Sequence, residues 1–365
     1  MERSVNSSLP IADEPKPAPT KGRSLPRRIG LVLGTTAGAC LVFLLALSIW
    51  NLAVVHWQQA HINLPGSLHS VEGRQMRLYC SGAGSPTIVI ETGVGSTSLG
   101  WYLVQERLSP LTRVCTYDRS GLGWSEPREG PQDSETIVRL LHTLLDQAGV
   151  PRPLLLVGHS GGGLYIREYT REFPDEVAGL VFVDSSSPRQ LDEIPGFRAS
   201  YEDDMRHATR DLWIDRVRVW SGWERLVGNC KGRPDEGFEK YADLYDAKEC
   251  RPRYVDTDFP GYRDFAAAAE QAGRLTSVGN KPVLVLSKDT QRSGMKPSAV
   301  AEAPYWDREQ EELKSLSPQS WRIIARGSGH TIFKERADLV VGQLTLLVNY
   351  LRGGPAPPFG TTTRQ

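Results

Sequence analysis

Short apolar runs alternate with helical patterns along most of the chain, and this alternation restricts the fold more than any other feature. The runs are five or six residues long, and they are 76–80, 87–92, 113–118, 154–159, 179–184, 282–287 and 321–326. The middle five are almost continuously apolar, which is typical of strands buried on both faces of a parallel sheet. Helical patterns occupy 134–149, 162–173 and 337–352. Strands alternating with helices predict a doubly wound α/β sheet.

One long stretch, residues 188–280, interrupts the alternation. It contains no convincing strand, but it carries Trp213, Trp220, Trp223 and many charged residues. It is too long for a plain loop. We interpret it as a mostly helical insertion that covers the carboxyl edge of the sheet, where open α/β sheets bind their ligands. The alternative is a helical decoration at the periphery of the domain.

The N-terminal part contains a membrane-spanning candidate. Residues 29–55 hold no charged side chain, and a helix of that length spans about 40 Å, more than a bilayer requires. Basic residues precede the run, so we expect a single-pass helix with its N-terminus in the cytoplasm and the rest of the chain outside it. A cleaved signal is the alternative, since Ala37-Gly38-Ala39 resembles a cleavage site, but the run continues past Cys40.

Composition indicates where the folded part of the chain begins and ends. Residues 1–28 and 353–365 are rich in proline or glycine and lack apolar periodicity, so we predict that they are disordered and that 57–352 is the folded part. Lys plus Arg and Asp plus Glu are each 43, and this balance argues against a nucleic-acid partner. The five cysteines lack the paired spacing of a zinc site.

A candidate nucleophile follows the fourth of these runs. The segment Gly158-His159-Ser160-Gly161-Gly162 fits the pattern G-x-S-x-G, lies directly after a predicted strand and opens a predicted helix. In that setting a serine stands on a sharp turn at the top of the sheet, and glycines allow the two backbone arms to approach closely. An inert serine in a glycine-rich turn is the alternative interpretation.

A serine hydroxyl needs a base, and His330 is the best candidate. It follows the strand 321–326 in a glycine-rich loop and comes last in the chain order serine, acid, histidine. His159 is adjacent to the serine, and we expect it to be structural. The acid that orients His330 is expected to be Asp289, because its strand lies next to the strand that carries the base. Asp184, at the end of strand 179–184, is the alternative acid.

An acyl carbonyl also needs donors for its developing negative charge. The backbone N–H of Gly161, directly after the serine, can supply one. The other is expected from the glycine-rich loop Thr92–Ser96, which follows the strand 87–92, and we assign it to the N–H of Val94. A loop without a catalytic role is the alternative.

These residues together resemble the α/β-hydrolase family over roughly residues 70–352. Tyr117–Ser125 also resembles the D-R-x-G-x-G-x-S turn of many bacterial members, where it is structural. The resemblance implies an eight-stranded sheet, a helical cap over 188–280 and a Ser-acid-His hydrolase that needs no cofactor. Many members have His-Gly where this chain has Thr92-Gly93.

The resemblance also bears on the cysteines. In the family strand order, the strand that carries Cys80 would neighbour the strand that carries Cys115, and Cys230 and Cys250 share the insertion. Two disulfides are therefore open alternatives to free thiols, and Cys40 would remain in the membrane.

The sequence predicts a membrane-anchored serine hydrolase that cleaves a small or medium carboxylic ester. A peptidase of the same fold is a second hypothesis, in which an acidic residue of the insertion binds the substrate amine; the candidates are Glu202, Asp203 and Asp204. A third hypothesis is a non-catalytic binding protein on a hydrolase scaffold.

Overall fold

The computed structural model of the protein describes residues 25–232, 234, 236–251 and 259–365. The chain divides into two compact units, one that ends at Leu47 and one that comprises Ser48–Gln365. In the first unit the described residues belong to helix α1, Leu25–His61. Among the described residues, α1 is the one helix long and apolar enough to cross a membrane. The predicted disorder of 1–28 falls on residues 1–24, which lie outside the described residues, and on residues 25–28, which are helical because α1 begins at Leu25.

In its described residues, the second unit is built on one sheet of nine strands. They are β1 Ser67–Val71, β2 Arg74–Ser81, β3 Thr87–Glu91, β4 Val114–Tyr117, β5 Leu154–His159, β6 Val177–Val183, β7 Val283–Lys288, β8 Ser320–Ala325 and β9 Thr362–Arg364. Their spatial order is β1-β2-β4-β3-β5-β6-β7-β8-β9. Only the β1–β2 and β2–β4 pairs of this sheet are antiparallel. The prediction of a mostly parallel α/β sheet is confirmed.

Helices cover both faces of the sheet and also form the insertion between β6 and β7. They are α2 Tyr102–Leu108, α3 Ser134–Gln147, α4 Gly162–Glu172, α5 Gln190–Glu193, α6 Phe197–Trp220, α7 Trp223–Leu226, α8 Ala242–Lys248, α9 Phe259–Arg263, α10 Phe265–Gly273, α11 Pro297–Glu312, α12 Ile332–Glu335 and α13 Ala337–Leu351. The core on one face includes apolar residues of α3 and α4. The core on the other face includes those of α2 and α13. Burial of both faces explains why the central strands are apolar throughout.

The insertion between β6 and β7 is helical where the structure describes it. Helices α5 to α10 lie in it, and its described residues form no strand. Helix α10 packs against α3 and α4, and Phe265 shares an apolar cluster with Leu164 and Tyr165. The insertion is therefore attached to the helical layer of the sheet.

The C-terminal tail differs from its prediction. Residues 353–365 were expected to be disordered, but they add strand β9, parallel to β8. Phe359 explains the order, because its ring packs edge-to-face against Trp321 and Tyr350, with centroid distances of 5.6 and 5.4 Å. The expected eight strands thus become nine.

Both cysteine pairs form disulfides in the structure. Cys80 and Cys115 stand opposite each other on the antiparallel strands β2 and β4. Cys230 and Cys250 close a 20-residue segment of the insertion. Cys40 is a free, exposed thiol on α1.

Candidate active site

The turn between β5 and α4 presents Ser160. Ser160 has a φ of 52°, a left-handed conformation that is costly for a non-glycine residue and recurs at functional sites. The flanking glycines are required by close contacts: a Cβ at Gly158 would lie 2.7 Å from the carbonyl oxygen of Gly162, and a Cβ at Gly162 would lie 2.4 Å from that of Glu91. The turn has the strained strand–turn–helix form of a nucleophile.

Ser160 lines a cavity of about 250 Å³ under the insertion. Its walls combine apolar and aromatic residues with a few polar ones: Val94, Ser186, Gln190, Phe197, Ser200, Tyr201, Asp204, Tyr262 and Phe265. Most of these belong to the segment 186–265, so the insertion forms most of the pocket. Such a mixture is typical of sites for small molecules.

His330 is held near this turn by its neighbours. His159 Nε2 donates a hydrogen bond to the His330 carbonyl oxygen at 3.0 Å, and the centroids of the two rings are 4.7 Å apart. In the part of the chain that the structure describes, the Ser160 hydroxyl makes no hydrogen bond, to His330 or to any other group. Hydrogen bonds between catalytic groups commonly tighten only when substrate binds.

The carboxylate that contacts His330 is Asp184. Its Oδ2 accepts a hydrogen bond from His330 Nδ1 at 2.6 Å. Its Oδ1 accepts from the backbone N–H of Lys288 at 2.9 Å and from Trp306 Nε1 at 2.8 Å. This arrangement assigns the proton of the neutral imidazole to Nδ1, so that Nε2 is the nitrogen that can accept a proton.

Asp184 is charged although it is fully buried. Burial by itself raises the pKa of Asp184. The contacts with His330 and Lys288 together lower it by a larger amount, so the net pKa lies below its ordinary value. The Lys288 ammonium lies 3.8 Å from Oδ2. A buried anion in this position stabilises the imidazolium that forms when His330 accepts a proton.

The expectation that Asp289 orients His330 is wrong. Asp289 accepts hydrogen bonds from the backbone N–H groups of Gly327 and Gln291, at 2.9 and 3.0 Å, and pairs with Arg364 of β9. It therefore braces the loop that carries His330 instead of contacting the ring. Asp184 reaches the ring because it leaves β6 at a φ of 43°, another left-handed conformation at the end of a strand.

His159 is structural, as predicted. It is buried, and burial lowers the pKa of its imidazole to about 3, with a smaller contribution from His330. The neutral ring donates through Nε2 to the His330 carbonyl and packs edge-to-face on Trp101 and Phe333. His159 thus positions the backbone of His330.

The oxyanion loop, Thr92–Ser96, packs against the serine turn. A Cβ at Gly93 would lie 3.1 Å from the Cβ of Ser160, and a Cβ at Gly161 would lie 3.5 Å from the backbone nitrogen of Val94. The two backbone nitrogens predicted to bind the oxyanion, those of Val94 and Gly161, are therefore brought together beside Ser160.

Arg119, which sequence reasoning treated as part of a structural turn, fixes this loop. It is 4 % exposed and donates to the carbonyl oxygens of Thr92, at 2.7 Å, and Gly93. It also pairs with the buried carboxylate of Glu91, which accepts a hydrogen bond from Tyr117. Burial by itself lowers the pKa of Arg119, but the Glu91 carboxylate and the neighbouring tyrosines together raise it by more, so the guanidinium stays charged.

This contact orients the backbone N–H of Val94, the predicted oxyanion donor. In a trans peptide the C=O of one residue and the N–H of the next point in opposite directions. Because Arg119 binds the carbonyl of Gly93, the N–H of Val94 is turned away from Arg119. The sequence signal for this role is the position of Arg119 directly after the predicted strand 113–118; the structure adds that this strand pairs with the strand leading into the loop.

The three acidic residues considered for amine binding have different environments. Asp204 lines the pocket together with Ser160. Glu202 is exposed, and Asp203 pairs with Arg206 and His207 on the outside of α6. Within the described ranges, no group of three or more His, Cys, Asp or Glu side chains could hold a metal ion.

Comparison with known proteins agrees with the fold. Residues 84–343 match the model of the alpha/beta hydrolase family. The chain is 31 % identical to an uncharacterized vacuolar membrane protein of Saccharomyces cerevisiae, over 68 % of this chain and 42 % of that protein. It is 31 % identical to a (lyso)-N-acylphosphatidylethanolamine lipase of Bos taurus, over 27 % and 30 % of the two chains.

A similar fold occurs among solved structures. A thermophilic esterase of Thermogutta terrifontis superposes with a TM-score of 0.53 and 21 % identity, over 79 % of this chain and 98 % of that one. This chain spans 39 %, 56 % and 48 % of the length of three further curated relatives.

Proposed function

The chain belongs to the alpha/beta hydrolase family, and from this premise we propose that it is a serine hydrolase that cleaves carboxylic esters with the triad Ser160, His330 and Asp184. The family implies a hydrolase that acts on a small molecule. The observation that carries the proposal is the hydrogen bond of 2.6 Å between Asp184 and His330, at the end of the sheet where Ser160 stands on its strained turn.

The proposed reaction has two halves. His330 Nε2 takes the proton of the Ser160 hydroxyl while the oxygen attacks the ester carbonyl, and the N–H groups of Val94 and Gly161 stabilise the oxyanion. His330 then returns the proton to the leaving alcohol, and an acyl-enzyme remains. Water, deprotonated by the same imidazole, releases the acid. Asp184 holds the ring and stabilises its cationic form throughout.

The proposal includes attachment to a membrane through α1, with the hydrolase domain outside the cytoplasm. The length and apolar character of α1 support the attachment. Basic residues before the uncharged run 29–55 support the orientation. Two disulfides support an oxidising compartment, because such bonds are rare in reducing ones.

A substrate panel tests the activity. The full-length protein in detergent should hydrolyse p-nitrophenyl esters of short and medium acyl chains, and Ser160→Ala should reduce kcat by about 10⁴-fold or more. The control is Ser186→Ala, a serine that lines the same pocket. Equal activity of the Ser160 variant and the parent protein would contradict the proposal.

One observation favours a peptidase or aminopeptidase as the second candidate. The carboxylate of Asp204 shares the pocket with Ser160 and could bind a substrate ammonium. Aminoacyl p-nitroanilides divide the two enzymes: an aminopeptidase would cleave them faster than the esters and lose that preference in Asp204→Asn. Failure of the folded protein to cleave either class would favour the non-catalytic binding protein.

A further inference from the structure

The insertion carries a cluster of exposed apolar side chains at the end of α6 and along α7. We call it the tryptophan ridge, and its members are Trp213, Ile214, Val217, Trp220, Trp223, Leu226 and Val227, each 42–64 % exposed. In the described residues outside α1, large hydrophobic side chains are this exposed elsewhere only at Leu68, Tyr262 and Val300. A patch this concentrated marks an interaction surface.

The geometry of the helices explains why these residues form one surface. Trp213, Val217 and Trp220 are spaced by four and three residues, so they share one face of α6. Gly222, with a φ of 76°, then turns the chain into α7, which adds Trp223 and Leu226. Tryptophan is the side chain most suited to a boundary between lipid and water, because it is apolar with one polar N–H.

The occupant follows from the contacts beneath the ridge. The fully buried Asn51 of α1 donates through Nδ2 to the carbonyl oxygen of Val219 at 3.1 Å, and its Oδ1 accepts from Arg225 Nε at 2.7 Å. Val219 and Arg225 alternate with the ridge residues along α6 and α7. The ridge is therefore attached to α1 inside the uncharged run 29–55, about 6 Å before its end at Val55.

Two further features favour a lipid surface over a protein partner. Trp50 and Trp57 precede and follow Asn51 on α1 and are 45 % and 61 % exposed. The hydrogen bond between Asn51 and Val219 therefore joins two helices that both carry exposed tryptophans near it. Residues 206–225 carry five arginines and three acidic residues, and anionic lipid headgroups attract this excess of positive charge.

From these contacts we infer that the tryptophan ridge lies in the interface of the same bilayer that α1 crosses. This inference rests on the proposed attachment through α1. Its consequence for the enzyme comes from α6, whose first half lines the catalytic pocket with Phe197, Ser200 and Tyr201. Tyr201 and Trp213 are twelve residues apart, or about 18 Å along the helix. The ridge thus keeps the pocket close to the membrane surface, where amphiphilic esters accumulate.

Site-specific fluorescence tests the inference in the full-length protein. Cys40→Ser removes the free thiol, and a single cysteine is introduced at Val217 on the ridge or, as a matched control, at Asp211. Asp211 is exposed on the same helix, about 120° around its axis from Val217, and it pairs with its neighbour Arg210. Each cysteine carries an NBD fluorophore, and the proteins are reconstituted into vesicles of phosphatidylcholine and phosphatidylserine, with or without doxyl-labelled phosphatidylcholine.

The expected result is a shorter emission wavelength at position 217 than at 211, and severalfold stronger quenching by the doxyl lipid. Equal emission and quenching at the two positions would overturn the inference. So would a shorter wavelength without lipid quenching, accompanied by cross-linking of the protein to itself, because the occupant would then be a second copy. Release of the protein by alkaline carbonate would overturn both the ridge contact and the attachment through α1.

The hydrolase proposal is tested separately on the same samples. Replacing Trp213, Trp220 and Trp223 by serine should lower hydrolysis of a long-chain ester carried in the vesicles severalfold and leave hydrolysis of a water-soluble ester unchanged. If the parent protein hydrolyses neither ester, the hydrolase proposal fails and the inference about the ridge stands, because the fluorescence readout does not depend on turnover.

Discussion

Replacing Asp184 by asparagine should disable the proposed base while preserving the shape of the site. The Oδ1 atom of Asp184 accepts hydrogen bonds from the Lys288 N–H and from Trp306 Nε1, and an asparagine can satisfy both only with its oxygen in that place. Its NH₂ group then faces His330 Nδ1, where Oδ2 now accepts at 2.6 Å. An imidazole that must accept at Nδ1 carries its proton on Nε2 and cannot take one from Ser160. We expect kcat to fall by about 10³- to 10⁴-fold, or about 4–5.5 kcal/mol in activation free energy.

Asp289→Asn is the matched control. Asp289 contacts backbone N–H groups and Arg364, so its replacement should cost about 1–2 kcal/mol of stability and change kcat less than about threefold. Both variants are assayed by p-nitrophenyl ester hydrolysis near neutral pH, after circular dichroism has established that each is folded. A larger loss of kcat in Asp289→Asn than in Asp184→Asn would refute this reasoning.

Three further changes have expected outcomes. Arg119→Lys keeps a positive charge beside Glu91 but cannot bind two carbonyls of the oxyanion loop at once, so kcat should fall about 10- to 100-fold with little change in KM, as initial rates will measure. His159 has a pKa of about 3 in the folded protein and about 6.5 when unfolded, so the unfolded state binds more protons between these pH values. The free energy of unfolding should therefore fall by up to about 1.4 kcal/mol for each unit by which the pH decreases in that range. Urea titrations at pH 7 and pH 5 measure this decrease in the free energy of unfolding, and it should be smaller in His159→Gln than in the parent protein. Serine in place of both Cys230 and Cys250 should destabilise the insertion by about 2–4 kcal/mol, measured by limited proteolysis of parent and variant.

Much of the fold could be predicted because the signals are local. The continuous apolar strands, the amphipathic helices and the glycine-flanked Ser160 each leave a pattern in adjacent residues. The C-terminal tail lacked such a pattern. Its order depends on the packing of Phe359 against Trp321, 38 residues earlier, which composition cannot reveal.

The choice of acid shows the same limit at the site. Asp184 and Asp289 both follow parallel strands at the same edge of the sheet, so sequence position alone does not distinguish them. The distinction lies in the left-handed φ of Asp184 and in the N–H of Trp306, a residue on α11 that no motif singled out. The role of Arg119 was missed for a related reason, since its contact with the oxyanion loop crosses between neighbouring strands.

The most direct test of the account is the reactivity of one hydroxyl. A fluorophosphonate probe should label the full-length protein at Ser160, as mapped by peptide mass spectrometry, and the label should disappear in Ser160→Ala and form far more slowly in His330→Ala. A folded protein that the probe does not modify, or a Ser160→Ala variant that is labelled as readily as the parent, would contradict the account.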